Sequence, residues 1–389
     1  MSRSHSITIE SFGLGDRRLR EFAALPWRLH RGDPRWTPPL NADLLGNRLL
    51  GAKGLLTADH PYHREAEVVH FLAHRNGRAV GRVSAAVNRR FNEHYREPVG
   101  FFGFFDVEDD FEAASALLDA ARDWLAARGA SCMRGPGEYS NATHERQAVL
   151  VDGFDQPPTV ELTHNPPYYA EFLERWGLSK VKDYHAHIMD LDDMPEKRIG
   201  QIARAVRARN RLETRALDMS QFKEEVRLVV RLYNEAWACN WGFLPLTVEE
   251  ADALAATLKP IVDPGLIRFA FSQGEPVAVL GALPDPNWAL RPRWRWYGDS
   301  DAIRIARLLA ARKRIPRVRL MFFGIRPAYR QMGVDAMLFD EAYRYARTRG
   351  YRTCEASMLL EDNTLVIRAA EMMGGRRYKT WRVYERPLT

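Results

Sequence analysis

The residues with the clearest chemical potential form a short loop between a predicted strand and a predicted helix. Arg330 supplies a cation, and Gly333 lets the backbone approach a ligand closely because it has no Cβ. The first N–H groups of a helix have no partner within the helix and carry a partial positive charge. The loop therefore predicts a site for a pyrophosphate, formed by Arg330, Gln331, Met332, Gly333 and Val334.

Elements like those around the loop occur twice in the chain, which indicates an internal repeat. A hairpin pattern centred on residues 76–77 recurs at residues 273–274. A helical pattern at residues 111–127, followed by an apolar strand, recurs at residues 334–348. Two copies of one unit explain this arrangement, with an insertion at a different place in each copy.

The pattern of each copy predicts, in order, a strand, a helical region, a hairpin, a strand, a helix, a strand, a helix and a strand. This order predicts an α/β fold of two tandem units, each a mixed twisted sheet with helices on both faces. We place the units at residues 1–190 and 191–389, because a polar run with a proline follows residue 190. The elements predicted for the second copy are residues 212–217, 222–240, 248–261, 317–325, 334–348, 351–358, 364–373 and 378–386.

Composition limits the class of protein. The 389 residues are 46% hydrophobic and 28% charged, which is typical of a globular protein of about two domains. No apolar run approaches the roughly 20 residues that cross a bilayer. The cysteines Cys132, Cys239 and Cys354 are too widely separated for a metal site or a disulfide framework, so we expect no metal and a cytoplasmic location.

Residues 318–338 resemble the strand, Pro-x-Tyr-Arg turn and Arg/Gln-x-x-Gly-x-Gly/Ala loop of the GNAT acyltransferase superfamily. Asp335 departs from this pattern, since the family has Gly or Ala there. Residues 363–384 resemble the second family signature, an Asn before a helix and a strand. The resemblance implies a bacterial tandem GNAT protein that uses acyl-CoA, or an acyl-carrier protein, as donor. Its implied donor-binding residues are Phe323, Ile325, Arg330, Gln331, Met332, Gly333, Val334 and Asn363.

The first copy matches this pattern poorly. Acidic residues crowd the start of its corresponding helix, where they would cap the helix but repel phosphates. We therefore expect no CoA site in the first unit, and a role for it in shaping the acceptor pocket. These acidic residues are Asp106, Glu108, Asp109 and Asp110.

The same resemblance implies that an amine attacks the thioester between two strands that separate, here 317–325 and 351–358. The tyrosine that usually serves as acid is replaced by Ala370 in the second copy and by Leu173 in the first. Glu355 is our candidate base, and Tyr378 and Tyr384 are candidate acids.

Two segments are candidates for acceptor binding. Trp237, Asn240 and Trp241 are spaced to share one face of the first helix of the second copy. Residues 134–169 form an enlargement of the first copy, and long loops in compact domains are often functional. Its candidate substrate residues are Glu138, Asn141, His144, Glu145, His164 and Tyr168.

Residues 288–314, inserted in the second copy, interleave arginines with Trp288, Trp294, Trp296 and Tyr297. Ala302, Ile305, Ala306 and Leu309 predict an apolar helix face. This combination suits peripheral contact with the inner membrane, and would also suit an acyl-carrier protein or RNA.

Together these observations favour an N-acyltransferase that acts on a small-molecule or lipid amine, with nucleic acid the less favoured partner. A ceramide synthase-like enzyme, which acylates a long-chain amino base, fits the lipidic features. Two alternatives stay open: a Fem-like transferase that takes an amino acid from tRNA, and a non-catalytic binding protein.

Overall fold

The computed structural model describes residues 6–48, 51–139, 146–210, 212–291 and 300–388. The strands are β1 Thr8–Phe12, β2 Ala66–Arg75, β3 Arg78–Asn88, β4 Val99–Val107, β5 Cys132–Gly137, β6 Val149–Asp152, β7 Ser179–Asp190, β8 Leu212–Ala216, β9 Ile267–Ser272, β10 Glu275–Pro284, β11 Arg317–Ile325, β12 Thr353–Leu360 and β13 Arg376–Pro387. The α-helices are α1 Leu19–Leu29, α2 Asn41–Leu45, α3 Arg89–Tyr95, α4 Phe111–Ala126, α5 Tyr168–Arg175, α6 Glu196–Asn210, α7 Phe222–Trp237, α8 Val248–Leu258, α9 Asn287–Leu290, α10 Asp301–Ala311, α11 Val334–Thr348 and α12 Thr364–Met372.

The chain forms two compact units, and neither is continuous in sequence. Unit 1 contains Met1–Asp183, Leu290–Ile305 and Lys379–Thr389, and unit 2 contains Tyr184–Ala289 and Ala306–Tyr378. This division differs from the predicted halves 1–190 and 191–389, because the chain changes unit inside strands β7 and β13.

The sheet of unit 1 has the strand order β1–β2–β3–β4–β5–β13, and β6 also pairs with β13. β4 and β5 are parallel, whereas the hairpin of β2 and β3 is antiparallel. On one face, Leu117 and Leu118 of α4 join the hydrophobic core with Val83 of β3. On the other face, the ring of Phe22 in α1 lies 5.1 Å from that of His70 in β2. Unit 1 is thus a mixed sheet with helices on both faces.

The sheet of unit 2 has the strand order β7–β12–β11–β10–β9–β8. β11 and β12 are parallel, and β12 pairs antiparallel with β7. Ala270 and Leu280 face α11, while Phe269 and Val279 of the same two strands pack on the α7 side. The alternation of side chains along each strand therefore places helices on both faces here as well, as the sequence predicts.

Several predicted elements match the structure closely. β11 and α11 have the predicted ends, and both predicted hairpins form. Asn76 and Gly77 have φ values of 55° and 73°, and Gln273 and Gly274 have 53° and 83°, so both tight turns use the left-handed region that suits Asn and Gly.

The last strand of each copy belongs mainly to the unit that the other copy builds. Tyr384 to Pro387 of β13 pair with Cys132 to Gly135 of β5 in unit 1. Residues Tyr184 to Asp190 of β7 pair with β12 in unit 2. The C-terminal strand is thus part of the core of the N-terminal unit.

Trp381 of β13 provides a test of whether this strand is part of the core of unit 1. Its side chain is fully buried, and its indole N–H donates to the carbonyl of Thr163 at 2.9 Å. Replacing a buried Trp by Ala costs about 3–5 kcal/mol through lost burial and cavity formation. We predict that Trp381→Ala lowers the free energy of unfolding by this amount and lowers hydrogen-exchange protection in peptides covering residues 132–152. Leu365→Ala, at a 71% exposed position, is the matched control. Unchanged protection at residues 132–152 in the Trp381 variant would contradict the packing of β13 in the core of unit 1.

Candidate functional site

The two central parallel strands of unit 2 separate part of the way along their length. β11 and β12 pair from Arg317 opposite Thr353 to Leu320 opposite Ala356, although both strands continue beyond these residues. β11 changes register against β10 immediately afterwards, between Gly281 and Ala282. We call the opening between β11 and β12 the unit 2 fork. It lies on the two strands for which the sequence predicts separation.

The predicted anion loop leads from the end of β11 into α11. Gly333 is the N-cap of α11 with φ 78°, and no side chain caps this helix end. A Cβ atom on Gly333 would lie 2.4 Å from Cγ2 of Val206 in α6. Gly333 is therefore needed for its backbone conformation and for the close approach of α6, in addition to any ligand.

The side chain of Arg330 is engaged by the protein. Its guanidinium donates to the carbonyl of Ala236 at 2.8 Å and to that of Ile325 at 3.3 Å. Arg330 and Gln331 are exposed, and Met332 is 38% exposed. The start of α11 thus presents uncapped N–H groups beside an accessible loop, which fits an anionic group.

The other predicted donor residues lie around the fork. Phe323 and Ile325 pack against the α11 side of the sheet, where the ring of Phe323 lies 5.1 Å from that of Phe339. Asn363 is the N-cap of α12, and its side chain accepts a hydrogen bond from the N–H of Val366 at 3.4 Å. These contacts give each residue a structural role close to the fork.

Glu355 and Tyr378, which we predict separately from the sequence, are in contact in unit 2. Glu355 is fully buried on β12, opposite Arg319 in the last part of the paired ladder, and Tyr378 donates a hydrogen bond to its carboxylate. Arg319 donates to the hydroxyl of Ser357 at 2.8 Å. Burial, with the neighbouring Glu355, raises the pKa of Tyr378 well above its usual value, so its hydroxyl stays protonated. A carboxylate and a phenol proton donor thus lie side by side next to the fork.

Tyr384 does not join this pair. It belongs to unit 1, is fully buried, and donates to the carboxylate of Glu174 at 2.7 Å. Tyr384 lies six positions after Tyr378 on the same strand, which is about 20 Å along an extended chain. The side chain of Tyr384 thus makes its hydrogen bond within unit 1, and its role as an acid stays a prediction.

The predicted helix face of Trp237, Asn240 and Trp241 does not form. α7 ends at Trp237, so Asn240 and Trp241 lie in the following turn and share no helix face with it. The indole N–H of Trp237 donates to the carbonyl of Phe323 at 2.9 Å, and the ring of Trp241 lies 6.5 Å from that of Tyr184. Trp237 thus fixes α7 to β11 at the fork.

The enlargement of the first copy contributes to a pocket within unit 1. The pocket is partly open to solvent. Glu138 and His164 line it, as predicted for substrate residues, whereas Tyr168 donates to the carbonyl of Val107 at 3.0 Å. The candidates Asn141, His144 and Glu145 lie outside the described residues. We call this cavity the unit 1 pocket; its polar lining includes Thr37, Arg82, Asp106, Glu138, Arg146 and His164.

Sequence reasoning missed several residues of this pocket. Arg82 lies 2.7 Å and His30 lies 3.1 Å from the carboxylate of Asp106. Burial opposes the charge on Asp106, but Arg82 and His30 outweigh it and hold its pKa at about 2. No sequence signal links these residues, since His30 follows α1 while Arg82 and Asp106 belong to β3 and β4. The sequence analysis places Asp106 among the acids at the start of a helix. In the structure it lies in β4 and forms an ion pair with Arg82.

The insertion forms the helix α10, which is held to the protein by its arginine side chain at position 304. Its buried residues are Arg304 and Leu308, and the guanidinium of Arg304 donates to the carbonyls of Pro39 at 2.9 Å and Leu290 at 3.0 Å. In the predicted apolar face Leu309 is 47% exposed, and Ile303, which lies outside that face, is 56% exposed. Residues 292–299 of this insertion, including Trp294, Trp296 and Tyr297, lie outside the described ranges.

Comparison with known proteins agrees with a tandem GNAT fold. The structure matches a tandem GNAT protein from the clavulanic acid biosynthesis pathway with a TM-score of 0.55, at 15% identity and 99% coverage of both chains. It matches a GCN5-related N-acetyltransferase from Sphaerobacter thermophilus with a TM-score of 0.51, at 13% identity, covering 98% of this chain and 96% of that one. The chain thus has the fold of a tandem GNAT protein.

Sequence comparison is more specific. The chain is 34% identical over 379 residues to the bacterial ceramide synthase of Caulobacter vibrioides, covering 95% of each chain. It is 32% identical over 381 residues to protein YghO of Escherichia coli, covering 95% of this chain and 93% of YghO. No protein-family model matches the chain. The chain belongs to the family of these two proteins, has the tandem GNAT fold and is an acyltransferase.

Two further observations apply to the described residues. No helix there combines the length and the apolar composition needed to cross a membrane. No group of His, Cys, Asp or Glu side chains there has the arrangement of a metal site. Burial raises the pKa of Cys354 to about 12, so this thiol on β12 is not a nucleophile at neutral pH.

The contact of Gly333 with α6 gives a testable prediction. Gly333→Ala introduces a methyl group against Val206 at a positive φ, whereas Gly274→Ala, at φ 83°, meets no atom within 4 Å. We expect Gly274→Ala to cost about 1–2 kcal/mol from backbone strain alone. Gly333→Ala should cost about 1–3 kcal/mol more from overpacking, and Val206→Ala should recover that extra part. Urea unfolding of the four variants, including the double variant, measures both terms; equal losses for the two glycines would contradict the packing of α6 on the loop.

Proposed function

We propose that this protein is a ceramide synthase-like N-acyltransferase, which moves a fatty acyl group from CoA to the primary amine of a long-chain base. The observation that carries the proposal is the 34% identity with the bacterial ceramide synthase over 95% of both chains. An identity that extends over both units argues for a shared reaction more strongly than fold similarity does.

The proposed donor site is the unit 2 fork together with the start of α11. The pyrophosphate of CoA would bind the uncapped N–H groups after Gly333, with Arg330, Gln331, Met332 and Val334 around it. The acyl-pantetheine arm would lie between β11 and β12, where the strands no longer pair, beside Phe323 and Ile325. Asn363 would support this site by fixing the start of α12.

The proposed chemistry uses the buried pair in unit 2. The amine nitrogen attacks the thioester carbonyl carbon, so a C–N bond forms and the C–S bond breaks. Glu355 accepts a proton from the nitrogen, and Tyr378, held protonated, supplies a proton toward the leaving thiolate and regains one from the Glu355 carboxyl group. The products are the amide and CoA thiol, and the pair returns to its starting protonation state.

Steady-state kinetics with a long-chain acyl-CoA and a long-chain primary amine test this function through the release of CoA thiol. Glu355→Gln should lower kcat by about 100-fold or more, because it removes a proton acceptor. Arg330→Glu should raise the KM for acyl-CoA and change kcat little, because it places negative charge at the pyrophosphate site. Arg231→Glu, the same charge change on the exposed side of α7, is the control. The proposed function fails if no long-chain amine accelerates CoA release, and the base assignment fails if Glu355→Gln is as fast as the parent.

We also propose that α10 contacts an anionic membrane surface, from which a lipid substrate would be taken. The helix exposes Ile303 and Leu309, and Arg312, Lys313 and Arg314 follow it on the exposed side. Exposed apolar side chains beside cations are typical of helices that lie on a membrane surface.

Vesicle flotation tests the membrane contact. The parent should bind vesicles of phosphatidylglycerol and phosphatidylcholine more tightly than vesicles of phosphatidylcholine alone. Replacing both Ile303 and Leu309 by Glu should weaken this binding at least tenfold, because it removes apolar contact and adds negative charge. Leu365→Glu, at another exposed apolar position, should not. If the double variant floats as well as the parent, α10 is not the contact.

A further inference from the structure

Ser357 is the first residue of β12 beyond the ladder that β12 forms with β11. That ladder ends with Leu320 opposite Ala356, so Ser357 lies where the unit 2 fork opens. The pairing of β12 with β7 is also irregular here, because the register shifts between Ala356 and Leu359. Two residues of β12, Ser357 and Met358, thus stand opposite one residue of β7, and this arrangement is a β-bulge.

The bulge holds the backbone in an unusual conformation. Met358 has a φ of 57°, which lies in the left-handed region that residues other than Gly, Asn and Asp rarely adopt. Bulges redirect side chains and are frequent beside active sites, and strained residues are retained where the surrounding structure requires them. The bulge therefore indicates that the direction of the Ser357 side chain at the fork matters.

The side chain of Ser357 is held from across the fork. It is 8% exposed, and its hydroxyl oxygen accepts a hydrogen bond at 2.8 Å from Nε of Arg319, which is buried on β11. The contact joins β12 to β11 next to the last pair of the ladder. The hydroxyl group of Ser357 therefore leans toward β11, at the point where the opening between the two strands begins.

The proton of this hydroxyl group is available to a ligand. A serine hydroxyl has one proton to donate and two lone pairs to accept with. One lone pair of Ser357 accepts from Arg319, and within the part of the chain that the structure describes its proton has no acceptor. A hydroxyl that accepts from a cation is a stronger donor, because linked hydrogen bonds polarise one another. The fork therefore begins at a polarised hydrogen-bond donor.

This donor lies on the same side of the sheet as the proposed base. Glu355 precedes Ser357 by two positions, so both side chains project from the same face of β12. Their Cα atoms are about 7 Å apart along an extended strand. This separation leaves room for a tetrahedral carbon whose nitrogen faces the carboxylate and whose oxygen faces the hydroxyl group.

We propose that Ser357 is a catalytic residue of the acyl transfer, with its hydroxyl group as a hydrogen-bond donor to the thioester carbonyl oxygen and with Arg319 as its positioning residue. As the amine nitrogen bonds to the carbonyl carbon, the C=O electron pair moves to the oxygen, and Ser357 stabilises the resulting oxyanion. When the C=O bond forms again and the C–S bond breaks, the thiolate leaves and the proton of Ser357 remains on its hydroxyl group. This assignment deepens the proposed function and rests on it.

Steady-state kinetics of Ser357→Ala test the assignment. Loss of one oxyanion donor should lower kcat by about 100-fold and change the KM for acyl-CoA much less. Ser272→Ala, at a partly exposed position at the end of β9, should react as the parent does. Thermal unfolding of both variants confirms that they are folded. Acyl transfer at the parent rate in Ser357→Ala would overturn the assignment and leave the proposed function standing.

A dithioester analogue of the acyl-CoA separates a catalytic role from a structural one. Sulfur replaces the carbonyl oxygen in this analogue and accepts hydrogen bonds weakly. The parent should therefore prefer the thioester over the dithioester by a factor about tenfold or more above that of Ser357→Ala. Equal preferences in the two proteins would show that the variant loses activity through its structure, and would overturn the assignment.

Infrared spectroscopy of bound palmitoyl-CoA, labelled with carbon-13 at the thioester carbonyl, measures the hydrogen bond without an amine. The carbonyl band should lie at lower frequency in the parent complex than in solution, Ser272→Ala should keep this shift, and Ser357→Ala should lose most of it. An equal shift in the parent and Ser357→Ala would overturn the assignment. A shift that depends on Ser357 in a parent without acyl transfer would support the hydrogen bond and refute the long-chain amine as acceptor.

Discussion

The limited parallel pairing of β11 with β12 is the constraint on which the rest of unit 2 depends. Parallel strands satisfy each other's backbone groups only while they stay in register. Here the ladder ends at Leu320 and Ala356, and the register change in β11 directs the strand away from β12. Backbone N–H and C=O groups beyond this point become available to a ligand, and Glu355 lies just inside the paired part. One local feature of the sheet therefore creates an opening next to the buried pair of Glu355 and Tyr378.

The helices around this opening are held by specific hydrogen bonds as well as by hydrophobic packing. Trp237 links the end of α7 to β11, and Arg330 links the loop before α11 to the same helix end. Gly333 allows α6 to approach α11. Residues that look like ligand contacts in the sequence thus also position the elements, which explains why residue types alone cannot separate binding from architecture.

The two copies share a fold and differ in charge. The second copy has an uncapped helix start after Gly333, whereas the first copy has Asp110 as the cap of α4 and further carboxylates before it. The same strand separation is therefore followed by an uncapped helix start in one unit and by a capped, acidic helix start in the other. Copies of one repeat can differ in this way without a change of topology, because a few charges at one helix end change its electrostatic field.

The sequence by itself determined the class of fold, the ends of β11 and α11, the two hairpins and the acidic character of the first copy's helix start. These depend on local patterns of apolar residues, turn residues and charges, which act within a few positions along the chain. Only the tertiary structure decided that Tyr378 meets Glu355 while Tyr384 lies in unit 1, that α7 ends before Asn240, and that Thr37, Arg82 and His164 line one pocket. Such contacts join residues far apart in sequence, and they follow from strand order and register, which no local pattern records.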